Sequence, residues 1–332
     1  MSAGPSPTTR TPAISLRRAF IWTLALAAIT TSVLAAIGAF MDSRPWGVAA
    51  TLPVSVLTAL VAISMLAYVA RIVRWRMLSG ALGWQLRWRD AAVVYVGAFA
   101  FGATPGRVGE LVRLEMMQRR RGVPWADTTL MMVADRLTDL LSVAALALAP
   151  LLTPLRLVLG AAGMVGVALL WQLRRDALLA VIATLLDRVR TQWRADLIGL
   201  GNRLGMRPET NYRALLDTRL VMVMLVLAAV AWVAEGLAFH VLLLALGFDV
   251  GVWVAVGIYS AATLAGALSM LPGGLGGFEL TAAGLLVAVD VPMTEAVAAV
   301  AVIRLVTFWF SILLGLVILP ASLARQTTGE SL

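Results

Sequence analysis

The chain has 332 residues, 61% hydrophobic and 14% charged, so its polar surface is too small to cover a water-soluble globule of this length. All 27 basic residues are arginine, the formal charge is +9, cysteine is absent and His240 is the one histidine. This excludes disulfides, thiolate chemistry and a His- or Cys-rich metal centre, and arginines that flank apolar runs suit membrane topology and anionic headgroups, not nucleic acid.

Residues 1–18 are polar and end in Arg17 and Arg18, next to an apolar run at 19–41. That run exceeds the roughly 20 residues needed to cross about 30 Å of hydrocarbon. It reads as a first span with a cytoplasmic N-terminal tail; a signal-peptide core would be shorter. A second uncharged run at 46–70 brings the chain back. Arg71, Arg74, Arg76, Arg87 and Arg89 follow it and mark the cytoplasmic side.

Residues 91–106 are uncharged, about 24 Å as a helix, and stop at Pro105-Gly106. Arg107, Arg113, Arg119, Arg120 and Arg121 come next, and their export would break the positive-inside rule. The pattern predicts a re-entrant hairpin that enters from the cytoplasm and turns at the Pro-Gly break. Residues 126–149 then run outward and 157–173 inward. Nine arginines between Arg174 and Arg219 place the segment 174–219 at the cytoplasmic interface, as an amphipathic helix or a solvated connector.

Residues 220–246 run outward again, and no arginine occurs until Arg304. The uncharged stretch 250–278 breaks at Pro272-Gly273-Gly274, and with no positive charge nearby this break can sit on the outer side. Residues 294–320 return inward, leaving 322–332 as a cytoplasmic tail. The prediction is an all-α polytopic membrane helical bundle, one domain over 19–321, in the cytoplasmic (inner) membrane with both termini inside.

The two halves carry the same punctuation. Pro105-Gly106-Arg107-Val108-Gly109-Glu110 is echoed by Pro272-Gly273-Gly274-Leu275-Gly276-Gly277-Phe278-Glu279. Val123-Pro124 precedes Arg136 by the interval at which Val291-Pro292 precedes Arg304, and Ala81-Leu82-Gly83 matches Ala245-Leu246-Gly247. Arginine bias puts the first hairpin inside and the second outside, so the copies, residues 66–150 and 220–320, are predicted to be inverted repeats. Broken helices in inverted repeats free backbone groups to line a cavity near the midplane.

Arg136 and Arg304 each lie about 15 Å into a predicted span. An arginine at that depth costs about 2.5–3.5 kcal/mol and is normally turned to a cavity or a carboxylate. Glu110 and Glu279 are the candidate partners from each repeat, with Asp135 and Asp139 beside Arg136. One reading has Arg107, Arg136 and Arg304 contacting a lipid phosphate; the other has each Glu–Arg pair pinning its hairpin to a helix. Pro105, Gly106, Gly109, Pro272, Gly273, Gly274 and Gly276 are the hairpin breaks, where glycine permits sharp turns and close helix approach. Glu235 lies in an apolar run with no basic residue within a turn, and is a candidate for proton coupling. Trp46, Trp75, Trp84, Trp125 and Trp253 read as interfacial anchors.

On Arg74-Trp75, Pro105–Glu110, Asp135-Arg136-Leu137-Thr138-Asp139, Leu271–Gly276 with Glu279, and Arg304, the chain resembles a flippase-like membrane family over roughly residues 66–319. That family includes the transmembrane domain of lysylphosphatidylglycerol synthase. The resemblance implies translocation of a phospholipid or other polar lipid, with members beside glycolipid or hopanoid assembly systems. Nothing here could fold into the soluble aminoacyl-transferase domain of the bifunctional synthases, so lysyl transfer is not carried over. The expectation is a transporter, not an enzyme, without cofactor or metal, whose partners are a membrane lipid, anionic headgroups and a lipid-modifying enzyme. A membrane-embedded transferase on lipid carriers and a non-catalytic assembly partner are the alternatives. Coupling to a proton or ion gradient is expected, since no phosphate-binding loop is present.

Overall fold

The computed structural model describes residues 44–104, 108–148, 150 and 212–323, and every regular element among them is helical. The tail at 1–18, the expected spans at 19–41 and 157–173, residues 174–211 of the expected interfacial segment and the chain beyond 323 lie outside the described residues. So do Pro105, Gly106 and Arg107.

A short α1, Arg44–Ala50, leads to Pro53, whose fixed φ of −61° and extended ψ of 144° set the entry to α2, Val54–Ala81. From sequence, the second span ends near Ala70 and Arg71 and Arg74 lie in a cytoplasmic loop. The structure corrects this: α2 is one helix of 28 residues, and both arginines are buried within it. Their carboxylate partners come from other helices, so nothing near them in sequence shows that these charges can be buried.

After α2 come α3, Trp88–Gly97, continued by a 3₁₀ turn at Ala98–Phe101; α4, Val108–Arg121; and α5, Trp125–Ala147. The second half has α6, Thr218–Ala245, opened by Asp217, whose side chain accepts from the Leu220 amide at 3.0 Å; α7, Val252–Leu268; a turn at Pro272–Gly274; and α8, Gly277–Val287. It closes with α9, Met293–Arg304, which passes through a π-helical stretch, Leu305–Trp309, into α10, Phe310–Leu323. Three of these helices, Val54–Ala81, Thr218–Ala245 and the continuous Met293–Ala321, are long and apolar enough to cross a membrane. Leu66 and Val69 on α2, Leu140 and Leu141 on α5, and Leu313 and Val317 on α10 face outward. Exposed apolar surface on this scale is that of a protein solvated by lipid.

Local geometry repeats along the chain. At the end of α2 the Trp84 amide donates to Ser79 O at 2.8 Å and the Gly83 amide to Gly80 O at 3.0 Å. At the end of α6 Phe248 donates to Leu243 O at 2.9 Å and Gly247 to Leu244 O at 3.0 Å, and both glycines have positive φ. Pro124 and Pro292 open α5 and α9 with the same backbone angles, φ −60° and ψ 148°. Trp75 meets Tyr95 at 6.0 Å between ring centroids, and Phe239, at the matching place in the second half, meets Tyr259 at 6.1 Å.

The halves interlock. α2 lies along α6; α5 of the first half packs on α6 and α7, and α10 of the second half packs on α3 and its 3₁₀ turn. At the latter contact Gly315 is the close approach, since a Cβ there would overlap the Ala100 amide and lie 2.8 Å from the Phe99 carbonyl carbon. Gly315→Val is expected to cost about 1–3 kcal/mol and to lower the thermal midpoint of the detergent-solubilised protein. Gly284→Ala, where nothing lies within 4 Å, is the control and loses nothing. A Gly315→Val protein as stable as that control would show the contact to be loose.

At the edge carrying Arg87 and Arg89, α4 is clamped by Asp90, which pairs with Arg120 at 2.8 Å and with Arg121. Burial pushes the Asp90 carboxyl upward, but the hydrogen bonds and charges of the two arginines outweigh it and hold it below the ordinary range.

Candidate functional site

Between the halves lies a cavity of about 660 Å³ with Arg71, Arg113, Arg136 and Arg304 on its wall, together with Asp139 and Glu235. Arg136 and Arg304, which share one place in the repeated pattern, therefore open onto the same space from opposite halves. Pro272, Gly273 and Gly274 line it as well.

Arg304 is held by the second break. Its Nε donates to Glu279 Oε1 at 2.7 Å and its Nη2 to the Gly273 carbonyl at 2.8 Å, while the guanidinium lies over the Phe278 and Phe308 rings at 4.9 and 4.2 Å. Glu279 Oε2 accepts from the Gly276 amide at 2.6 Å, so one carboxylate caps α8 and neutralises the arginine. Gly273 has φ +64°, and a Cβ there would run into Phe308, so only glycine can present that carbonyl. The adjoining π stretch leaves the Thr307 carbonyl accepting from the Tyr68 hydroxyl at 3.0 Å. Such bulges recur where a helix wall is used by a site.

Arg136 is less enclosed, its side chain 37% exposed. It pairs with Asp135 at 2.9 Å and with Asp139 at 3.5 Å. The side chain of Glu110 and the surroundings of Gly109 are not among those described, so the pairing of Glu110 with Arg136 expected from sequence lies outside the described residues.

Among the described residues the densest charge cluster joins the predicted Asp135, Arg136 and Asp139 to a member that sequence reasoning missed, Arg74. Arg74, with a side chain wholly removed from solvent, donates from Nη1 to Asp139 Oδ1 at 2.5 Å, and from Nη2 to Asp135 Oδ1 and, at 2.8 Å, to the Asp135 carbonyl. Asp135 Oδ2 also accepts from the Tyr95 hydroxyl at 3.3 Å. Asp139 Oδ1 accepts from Trp232 Nε1 at 3.2 Å. Asp135 and Asp139 are thus shared between an inner arginine that fixes them and an outer one that faces the cavity.

Glu235 takes its partner from α2. Arg71 Nη1 donates to Glu235 Oε1 at 2.5 Å, the Tyr259 hydroxyl donates to Oε2 at 2.6 Å, and Trp232 lies 4.7 Å beneath the Arg71 guanidinium. Arg71 and Glu235 are 164 residues apart, the spacing that also relates Gly83 to Gly247 and Tyr95 to Tyr259. The pair therefore joins matching positions of the two halves. That spacing, counted from the Ala-Leu-Gly copies, was the available signal for Tyr95 and Tyr259.

Trp75, expected at the membrane interface, is fully buried, with Arg113 over its ring at 4.8 Å. Arg113, counted from sequence among the cytoplasmic arginines, lines the cavity. Chemically, the site can attract and orient an anion. Among the described residues no group of three His, Asp or Glu side chains could hold a metal.

The model of the lysylphosphatidylglycerol synthase transmembrane region matches residues 20–315. A curated relative, described as a UPF0104 membrane protein of Methanothermobacter thermautotrophicus, is 34% identical over 93 residues. That stretch covers 28% of either chain, so less than a third of the relative's length is matched. With the family's match running through both halves and the cavity between them, this chain is a membrane protein belonging to the lysylphosphatidylglycerol synthase transmembrane-region family.

Proposed function

We propose that this protein moves a phospholipid or another anionic lipid across the cytoplasmic membrane by alternating access, without altering the lipid covalently. The observation that carries the reading is the convergence of Arg136 and Arg304, from matching positions of two interlocked halves, on one cavity. Guanidinium groups at a wet site within an apolar bundle are suited to a phosphate headgroup, whose acyl chains can remain in the surrounding lipid. The halves are read as inverted repeats, each carrying a re-entrant segment broken at its Pro-Gly element, that open the cavity first to one side and then to the other. On this reading, which the arginine bias supports, both termini lie in the cytoplasm.

The test is reconstitution into vesicles containing fluorescent phosphatidylglycerol, with the label in each leaflet followed by chemical quenching. Wild-type protein is expected to move the label. Arg136→Gln and Arg304→Gln, each losing charged hydrogen bonds, are expected to slow movement about tenfold or more. Movement at the wild-type rate in both folded variants would sink the reading, and a change in the mass of the recovered lipid would make the protein a transferase. Because the chain has no cysteine, Arg119→Cys and Met270→Cys report sidedness directly. Labelling of both from one side would end the inverted arrangement.

A further inference from the structure

Among the described residues four arginines line the cavity, and three of them are already neutralised: Arg71 by Glu235, Arg136 by Asp135 and Asp139, Arg304 by Glu279. Arg113 is not. It is 5% exposed, and among the described residues it forms no ion pair and no hydrogen bond; its Nε is buried without an acceptor. What holds it are two aromatic faces, Tyr95 at 4.3 Å and Trp75 at 4.8 Å from the guanidinium carbon. Stacked rings orient a guanidinium, but they do not replace a counter-ion for a charge withdrawn from water.

We propose that Arg113 is an anion-binding residue whose guanidinium fork takes the oxygens of a phosphate group entering the cavity. The fork geometry suits a tetrahedral oxyanion, and the aromatic platform keeps it pre-oriented while the site is empty. Tyr95 joins this residue to the rest of the wall: its ring lies under Arg113, and its hydroxyl shares Asp135 Oδ2 with Arg136. A phosphate on Arg113 therefore occupies the cavity that Arg136 also lines, and it need not displace a carboxylate from any arginine. This deepens the lipid reading and depends on it only for the source of the phosphate, a lipid headgroup or the free ion.

The test is calorimetric titration of the full-length protein in neutral detergent with dihexanoylphosphatidylglycerol, inorganic phosphate and dihexanoylglycerol. The two phosphate-bearing ligands are expected to bind and compete, and the phosphate-free lipid is not. Tighter binding of the phospholipid identifies a headgroup site, and tighter binding of inorganic phosphate identifies a free-ion site. Arg113→Gln is expected to weaken both about tenfold or more, with Arg113→Lys in between. Should Arg113→Gln not fold, the wild-type comparison decides: dihexanoylglycerol binding as tightly as its phosphorylated counterpart overturns the proposal. So does unchanged binding in a folded Arg113→Gln, which, with Glu110→Gln equally destabilised, would make Arg113 an internal partner of Glu110. Loss of phosphate binding from a chain that still moves labelled lipid removes this site and leaves transport standing; intact binding in a chain that moves none does the reverse.

Discussion

Arg74→Ala is expected to be among the most damaging single substitutions, costing about 3–5 kcal/mol, the usual loss when one partner of a buried ion cluster is removed. Arg74 has no solvent-exposed side-chain surface, and neither has Asp135, to which it donates through both the carboxylate and the carbonyl. Truncation strands Asp135 with the Tyr95 hydroxyl and one oxygen shared with Arg136, and takes from Asp139 its 2.5 Å partner. Water cannot fill the gap cheaply, because the surrounding positions on α2 and α5 are closed by residues such as Trp75, Leu78 and Met131. Thermal unfolding in detergent and the monodisperse fraction on gel filtration measure the loss. Adding Asp135→Asn removes the stranded charge, so the double variant should be less damaged than the sum of the singles by about 0.5–3 kcal/mol. An Arg74→Ala protein that melts with the wild type would show that the cluster anchors nothing.

The reach of sequence reasoning has a physical limit visible at particular residues. Apolar run length and flanking arginines were enough for the membrane-crossing helices 218–245 and 293–321, and the ordered motifs were enough for the family. The pairing of Glu279 with Arg304 was accessible too, because both follow one break in the chain. What stayed hidden were charges neutralised at long range: Arg71 by Glu235, 164 residues away, and Arg74 by Asp135, 61 residues away. An arginine at the end of an apolar run looks like a topology signal until the carboxylate that buries it is known. The burial of Arg113 and Trp75 stayed hidden for the same reason, since a cation and an indole that stack on each other inside the bundle carry, one at a time, the marks of an interface.

Exchanging the charges of the Arg71–Glu235 pair is expected to rescue most of what either single change destroys. Arg71→Ala leaves Glu235 with only the Tyr259 hydroxyl, and Glu235→Ala leaves Arg71 buried over Trp232; each should cost about 3–5 kcal/mol. The two positions correspond in the halves, and so do their surroundings: Trp232 precedes Glu235 by the three residues that separate Tyr68 from Arg71, and Tyr259 corresponds to Tyr95. Arg71→Glu with Glu235→Arg therefore sets the arginine near Tyr68 as it was near Trp232, and brings the glutamate toward the half that carries Tyr95. Recovery should be incomplete. Asp139 crowds the first half with negative charge, while Thr307 stands at the matching place in the second, so a glutamate at position 71 meets repulsion that Glu235 does not. We expect the exchanged protein to regain at least half of the stability lost by the worse single variant, read from its thermal midpoint, and to move labelled lipid more slowly than the wild type. If the exchange is as damaging as the two single changes added together, the halves are not equivalent at their point of contact, and the basis for alternating exchange between them is gone.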